Sequence, residues 1–236
     1  ARKFRSMCRK ITRFKFVLYD NTKLDPEYIR SIEKEYQGLW YKRFILGEWC
    51  QAEGAIYDMY DAARHVITDA ALAEMVANTV PRSACVAVDY GTSNPTAALY
   101  LQSYTNGHIH VADEYYYDGR ANQRQKTDAD YIADFEAFYS RNGISKSVPL
   151  IIDPSAASLK IEARKRGFSV KDANNSVLDG IRTMGRLFGE DKLTLSTKCK
   201  TLNAEISSYV WDANAQKHGE DSPKKENDHC CDACRY

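Results

Sequence analysis

Cys85-Val86-Ala87-Val88-Asp89, then Thr96-Ala97-Ala98-Leu99-Tyr100-Leu101 and, across Asn106-Gly107, Ile109-His110-Val111 decide how this chain folds. Short apolar runs bounded by turn-forming residues read as strands, and Asn-Gly between two such runs is a strong hairpin signal. Strands over 84–89, 96–104 and 108–117 then form an antiparallel meander whose first strand ends on Asp89. Leu150-Ile151-Ile152-Asp153 repeats the pattern, an apolar run closing on an aspartate before the turn-prone Pro154-Ser155. An aspartate ending a buried strand stands at the sheet's carboxyl edge, where open α/β sheets place their ligands.

Working outward, Thr127 starts a helix with the stripe Ile132, Phe135 and Tyr139, stopped by Asn142-Gly143. A strand over 148–153 and a helix from about 155 to 166 come next, ended by Gly167, then a short strand near 168–171. Helices around 177–189 and 199–210 and a last helix carrying Asp232 complete the chain. Three antiparallel strands, helix, strand, helix, strand, helix is the order of a ribonuclease H-like α/β fold, a mixed sheet flanked by helices. In that fold the first and fourth strands pair, which brings Asp89 and Asp153 side by side. Residues 1–80 read differently, as a helical and linker appendage to an α/β domain over 81–236. Phe14 to Tyr19 suggests a strand, Leu24-Asp25-Pro26-Glu27 a helix start with proline just inside, and Ile29, Ile32 and Tyr36 its stripe.

The 236 residues suffice for one α/β domain with an appendage. Hydrophobic residues at 44% and charged residues at 28% are ordinary for a globular chain, and a net charge of +1 leaves nucleic-acid affinity to local basic patches. No stretch has the length of a membrane span, and Ala1-Arg2-Lys3-Phe4-Arg5 lacks a signal peptide's apolar segment and an initiator Met, as expected of a piece of a longer polypeptide. Seven scattered cysteines fit reduced thiols in a cytosol. Cys231 and Cys234 make a CxxC with His229 nearby, but a structural zinc site needs four ligands, and small apolar filler on a helix is the plainer expectation.

Asp228-His229-Cys230-Cys231-Asp232 adds a third acidic site, its two aspartates one helical turn apart. Each site alone has a plain structural reading: Asp89 as a turn cap, Asp153 as a helix N-cap, Asp228 and Asp232 as a solvated helix end. Converging, these acids would repel unless a divalent cation lay among them.

The chain resembles the C-terminal nuclease portion of the large terminase of tailed phages, in particular the group found in Bacillus phages and defective prophages. The resemblance rests on Asp20-Asn21 through Tyr28-Ile29, on Arg43 to Trp49, on Val88-Asp89-Tyr90-Gly91 and on Ile152-Asp153-Pro154-Ser155. Leu178-Asp179-Gly180-Ile181, Glu205 to Asp212, and Asp228-His229 with Asp232-Ala233 and Arg235-Tyr236 continue it in order. It implies that Asp89, Asp153 and Asp232 are metal carboxylates, with His229 a ligand or proton shuttle and Asp228 a further candidate. Two Mg²⁺ or Mn²⁺ ions about 3.5–4 Å apart, bridged by Asp89, would then cut the phosphodiester bonds of concatemeric double-stranded DNA. Phosphate contacts fall to Lys224 and Lys225, to Arg164 and Arg166, and to Arg120 and Arg124, although such charges are more often a solvated face. Tyr115-Tyr116-Tyr117 offers stacking on bases or simple alternation in a strand. The resemblance also implies a small terminase subunit and a portal protein as partners, and the cytoplasm of the host as the place of action. No GxxxxGK[ST] occurs, so no ATP hydrolysis is expected. The competing expectations are a non-catalytic docking or DNA-binding module of a packaging motor, and another ribonuclease H-like nuclease such as a resolvase or transposase.

Overall fold

A computed structural model of the protein describes residues 14–92 and 94–236. The first thirteen residues of the expected appendage, and Ser93 in the turn after Asp89, lie outside the described residues. Seven strands, β1 (Val66–Ile67), β2 (Pro81–Asp89), β3 (Thr96–Tyr104), β4 (Ile109–Tyr117), β5 (Leu150–Ile152), β6 (Val170–Asp172) and β7 (Leu193–Ser196), form one sheet ordered β1-β7-β4-β3-β2-β5-β6. The β2-β3-β4 meander is antiparallel, with Gly107 in the left-handed region (φ +80°) at the expected hairpin turn. On one side β5 runs parallel to β2 and β6 to β5; on the other β7 runs parallel to β4 and β1 to β7. The expected pairing of the meander's first strand with the strand that ends at Asp153 is therefore present.

The longer helices are α1 (Pro26–Glu35), α2 (Asp128–Arg141), α3 (Ala157–Lys165), α4 (Val177–Gly189), α5 (Lys200–Ser208) and α6 (His229–Arg235). Alternation along β3 explains the layers. Ala97 and Leu99 face a core built with Ile181, Phe188, Leu202, Ile206 and Cys231, while Ala98 and Tyr100 face Ile132, Phe135, Phe138 and Leu159. The central strands are thus covered on both faces, as their unbroken apolar runs required. Helix α2 forms because Thr127 caps it, accepting the Asp130 N–H at 3.2 Å, and its stripe of Tyr131, Ile132, Phe135, Phe138 and Tyr139 is buried.

Two local readings of the sequence fall short. Phe14 to Tyr19 is not a strand: a 3₁₀ turn occupies Leu18–Asp20, and Phe14 and Phe16 are exposed, so no sheet edge receives them. Strands β7 and β1 are additions beyond the expected set and widen the sheet past β4. Ala52, Ile56 and Tyr57, which precede residue 80, pack into the same core as α4 and α5.

Candidate metal centre

The register Val86↔Leu150, Ala87↔Ile151, Val88↔Ile152 sets Asp89 and Asp153 at the same edge of adjacent parallel strands. Beyond Asp89 the chain must turn at once. A Cβ on Gly91 would stand 2.5 Å from the Asn94 carbonyl and 2.6 Å from that of Pro95, so only glycine admits the turn. Asp153 accepts hydrogen bonds from the Ser155 N–H at 2.7 Å and from the Ser155 hydroxyl. Burial works to raise its pKa, but these bonds, with those from Asn175 and Tyr236, outweigh it and hold the carboxyl below its ordinary value. Tyr236 links the two acids, its hydroxyl 3.0 Å from Asp89 Oδ1 and 3.4 Å from Asp153 Oδ2. One hydroxyl hydrogen can serve only one of them at a time.

Helix α6 brings the other half. His229 Nδ1 donates to Asp89 Oδ2 at 2.9 Å, since a carboxylate can only accept. Burial disfavours the imidazolium, yet the bond to Asp89 and its charge prevail, and the His229 pKa is raised. Asp228 and Asp232 share Lys225, whose Nζ lies 3.1 Å from Asp228 Oδ2 and 2.9 Å from Asp232 Oδ2. The Asp228 contact lacks hydrogen-bond geometry, which leaves Asp228 Oδ2 buried with no hydrogen-bond partner. Arg235 Nε donates to the other Asp232 oxygen at 2.9 Å. Among the described residues no three acidic, histidine or cysteine side chains stand close enough to share an ion in this arrangement. Tyr236 and Lys225 lie between the acids instead.

Two further acids position this half, and residue patterns alone did not single them out for it. Glu205, on α5, accepts the N–H groups of Cys230 at 2.7 Å and Cys231 at 3.0 Å, capping α6. Burial pushes its pKa up to about 7 against the pull of those two N–H donors. Glu114, on β4, does the same for α5 through Thr201 N–H at 2.7 Å and Leu202 N–H at 2.9 Å. The available signal was negative: neither helix has a side-chain cap of its own.

A cavity of about 470 Å³ opens over Asp89, lined also by Tyr116, Arg120, Lys225, Asp228, His229 and Asp232. Arg120 is there, Arg124 borders a smaller neighbouring cleft with it, and exposed Lys224 is paired with Glu226. Arg164 and Arg166 are not brought to the acids. They end α3, which starts just after Asp153 and runs back across the sheet, and Arg166 pairs with Glu136 and Glu162. Tyr115 and Tyr117 are committed elsewhere, donating to Asp134 and to the Arg124 carbonyl; Tyr116 alone of the three lines the cavity. Cys230 and Cys231 are buried in the core and burial raises both thiols, so they pack as apolar filler. His108 and His110 share the Thr194 hydroxyl at 2.8 and 2.9 Å. Among the described residues, no helix is long and apolar enough to cross a membrane.

No protein-family model matches the chain. The large terminase subunit of Escherichia phage T5 is 24% identical over 222 residues, spanning 92% of this chain and 49% of that protein. The large terminase of a thermophilic bacteriophage, solved in complex with ATP-γ-S, superposes with a TM-score of 0.80 at 39% identity, over 94% of this chain and 54% of that one. The nuclease domain of the P22 large terminase gives 0.58 at 18% identity, over 78% of this chain and 91% of that domain. The chain thus spans about half the length of the full large terminases it matches. Its mixed sheet is ribonuclease H-like, the fold it shares with the P22 nuclease domain, and the chain is a homologue of the bacteriophage terminase large subunit.

Proposed function

We propose that this chain is a divalent-metal-dependent endonuclease that cuts viral DNA for packaging. The observation that carries the reading is that Asp89 shares one cavity with Asp228, His229 and Asp232, at the start of and along the last helix, while Asp153 stands at the same sheet edge on the adjacent strand and is linked to Asp89 through Tyr236. The donors fit Mg²⁺ or Mn²⁺: carboxylate oxygens with one imidazole, and a buried Asp228 oxygen still without a hydrogen-bond partner. Asp89, Asp153 and Asp232 would hold the ions, with Asp228 and His229 beside them. Two such ions would supply an activated water and charge neutralisation at the leaving oxygen of a phosphodiester.

The chain's own residues do the rest. Asp89 fixes the His229 ring through Nδ1, and among the described residues Nε2 has no hydrogen-bond partner, so it can carry a proton to the leaving group. Arg120 at the cavity wall, with Arg124, Lys224 and Lys225 near it, would grip backbone phosphates. Double-stranded viral concatemers as substrate, a small terminase subunit and portal protein as partners, and residues 1–80 as the connection to a separate motor unit belong to the same proposal.

The test is Mn²⁺-dependent nicking of supercoiled plasmid by Asp89→Ala. Loss of nicking with DNA binding retained supports the nuclease. Nicking at the parent rate removes this site, and a parent protein that binds DNA but never cuts it points to a docking module.

A further inference from the structure

Lys225 sits where the proposed metal site needs positive charge. Its Nζ reaches Asp228 Oδ2 at 3.1 Å and Asp232 Oδ2 at 2.9 Å, so one ammonium answers two carboxylates. The two cations near Asp232 differ in freedom. Arg235 has a side chain only 4% exposed and is tied to the Asn175 carbonyl, whereas the Lys225 side chain is 55% exposed. The backbone just before Lys225 is held: Lys224 N–H donates to the Val210 carbonyl, Asp212 N–H to that of Ser222, and Arg43 pairs with Asp221. Asn227, with φ +51°, then turns the chain into α6. Lys225 can therefore leave its partners by rotating a solvated, four-carbon stem, with no movement of the fold.

A divalent cation at these oxygens and the Lys225 ammonium exclude each other, because both need the same lone pairs and like charges repel at such range. The cavity holding them is also walled by Arg120, which marks where a phosphate would lie. A phosphate there offers Lys225 an alternative partner a side chain's reach away.

We propose that Lys225 is a built-in competitor of the metal: it occupies Asp228 and Asp232 in the DNA-free protein and passes to a phosphate when DNA enters. Metal binding and DNA binding are then positively coupled, since each favours the state in which Lys225 has left the acids. The proposal rests on the nuclease reading of this site.

Mn²⁺ binding to the folded chain without DNA, followed by the electron paramagnetic resonance of free Mn²⁺, tests it independently of cleavage. Lys225→Gln is expected to bind Mn²⁺ at least tenfold more tightly than the parent, and Lys225→Arg, which keeps the charge, to stay as weak as the parent. A short phosphorothioate duplex should tighten Mn²⁺ binding in the parent and do so far less in Lys225→Gln. Equal or weaker Mn²⁺ binding by Lys225→Gln, including none up to millimolar Mn²⁺, overturns the competition, and equal tightening by DNA in both overturns the coupling. Adding Asp89→Asn to Lys225→Gln separates the two readings. If the double variant still binds Mn²⁺ as Lys225→Gln does, the metal-site assignment falls, whatever Lys225 does.

Discussion

The two halves of the acid site are built on different principles. Asp89 and Asp153 end neighbouring strands, and their spacing follows from backbone register deep in the sheet. Neutral donors hold them, Tyr236, Ser155 and Asn175, apart from His229, whose imidazolium is favoured by Asp89. Asp232 rides on a seven-residue helix and Asp228 is the residue just before it, and full charges, Lys225 and Arg235, hold them. A helix that short has little stability of its own. Its place depends on Glu205 at its start and on a tight fit against α4, where Gly180 admits the Arg235 stem. The comparison teaches that the strand half is rigid by construction, while the helix half is held by contacts that can be removed one at a time.

Substitutions can sharpen or break that contrast. The largest effect belongs to the strand half but should touch function alone. Asp153→Asn is expected to lower Mn²⁺-dependent nicking by on the order of a hundredfold or more, because in the role proposed for it, a direct ligand, its loss exceeds the usual loss from supporting residues. Its melting temperature should stay near that of the parent. A large drop in melting temperature would show that the strand acids also hold the fold.

Glu205→Ala comes next and should do the reverse, lowering stability first. Leaving two buried N–H groups unanswered costs about 1–3 kcal/mol, readable from urea unfolding, with nicking falling in step as α6 loosens. The charge on Glu205 adds a pH signature. Its folded pKa of about 7 lies above the ordinary carboxylate value of 4.5, so between these the folded state keeps a proton that the unfolded state has released. Stability should therefore fall as pH rises from 4.5 to about 7 and level off above. Glu205→Gln should flatten that slope. A slope that persists unchanged would place its origin elsewhere.

Gly180→Ala is smaller. The new Cβ would meet the Arg235 Cβ at 2.8 Å, an overpacking cost of about 1–3 kcal/mol partly offset by the better helix propensity of alanine, roughly 1 kcal/mol. A net loss of about 1 kcal/mol in urea is expected, and a gain would mean that α6 is free to shift. Tyr236→Phe should be the mildest, about 0.5–1 kcal/mol for one hydroxyl that serves its two carboxylates in turn.

Much of the strand half was legible because local chemistry sets it. Asn106-Gly107 marks the hairpin, an unbroken apolar run marks β3, and an aspartate at the end of the runs over 85–89 and 150–153 marks the edge. Even α4 is visible as Val177–Gly189, since its stripe and its end are both local. The helix half was legible only as residues in a row. That Lys225 lies on the acids rather than standing ready for DNA depends on how the loop over 218–228 is pinned to residues 210–212, a contact no short pattern encodes. Strand β7 escaped for a similar reason. Four residues over Leu193–Ser196 become a strand only because β4 offers them an edge. Phe14 to Tyr19 has a strand-like composition with no such edge to join.

Glu114 and Glu205 form a relay whose consequence reaches beyond capping. Glu114 hangs α5 from β4, and Glu205 hangs α6 from α5, while α6 itself packs directly on β2 and β3, so the helix-borne acids are tied to the sheet by two routes, one of them through the strand that carries Asp89. The gap between the two halves is thus fixed twice over, like a lid held by both a hinge and a latch. A substitution at Glu114, on β4, would therefore tilt α6 on the sheet rather than release it.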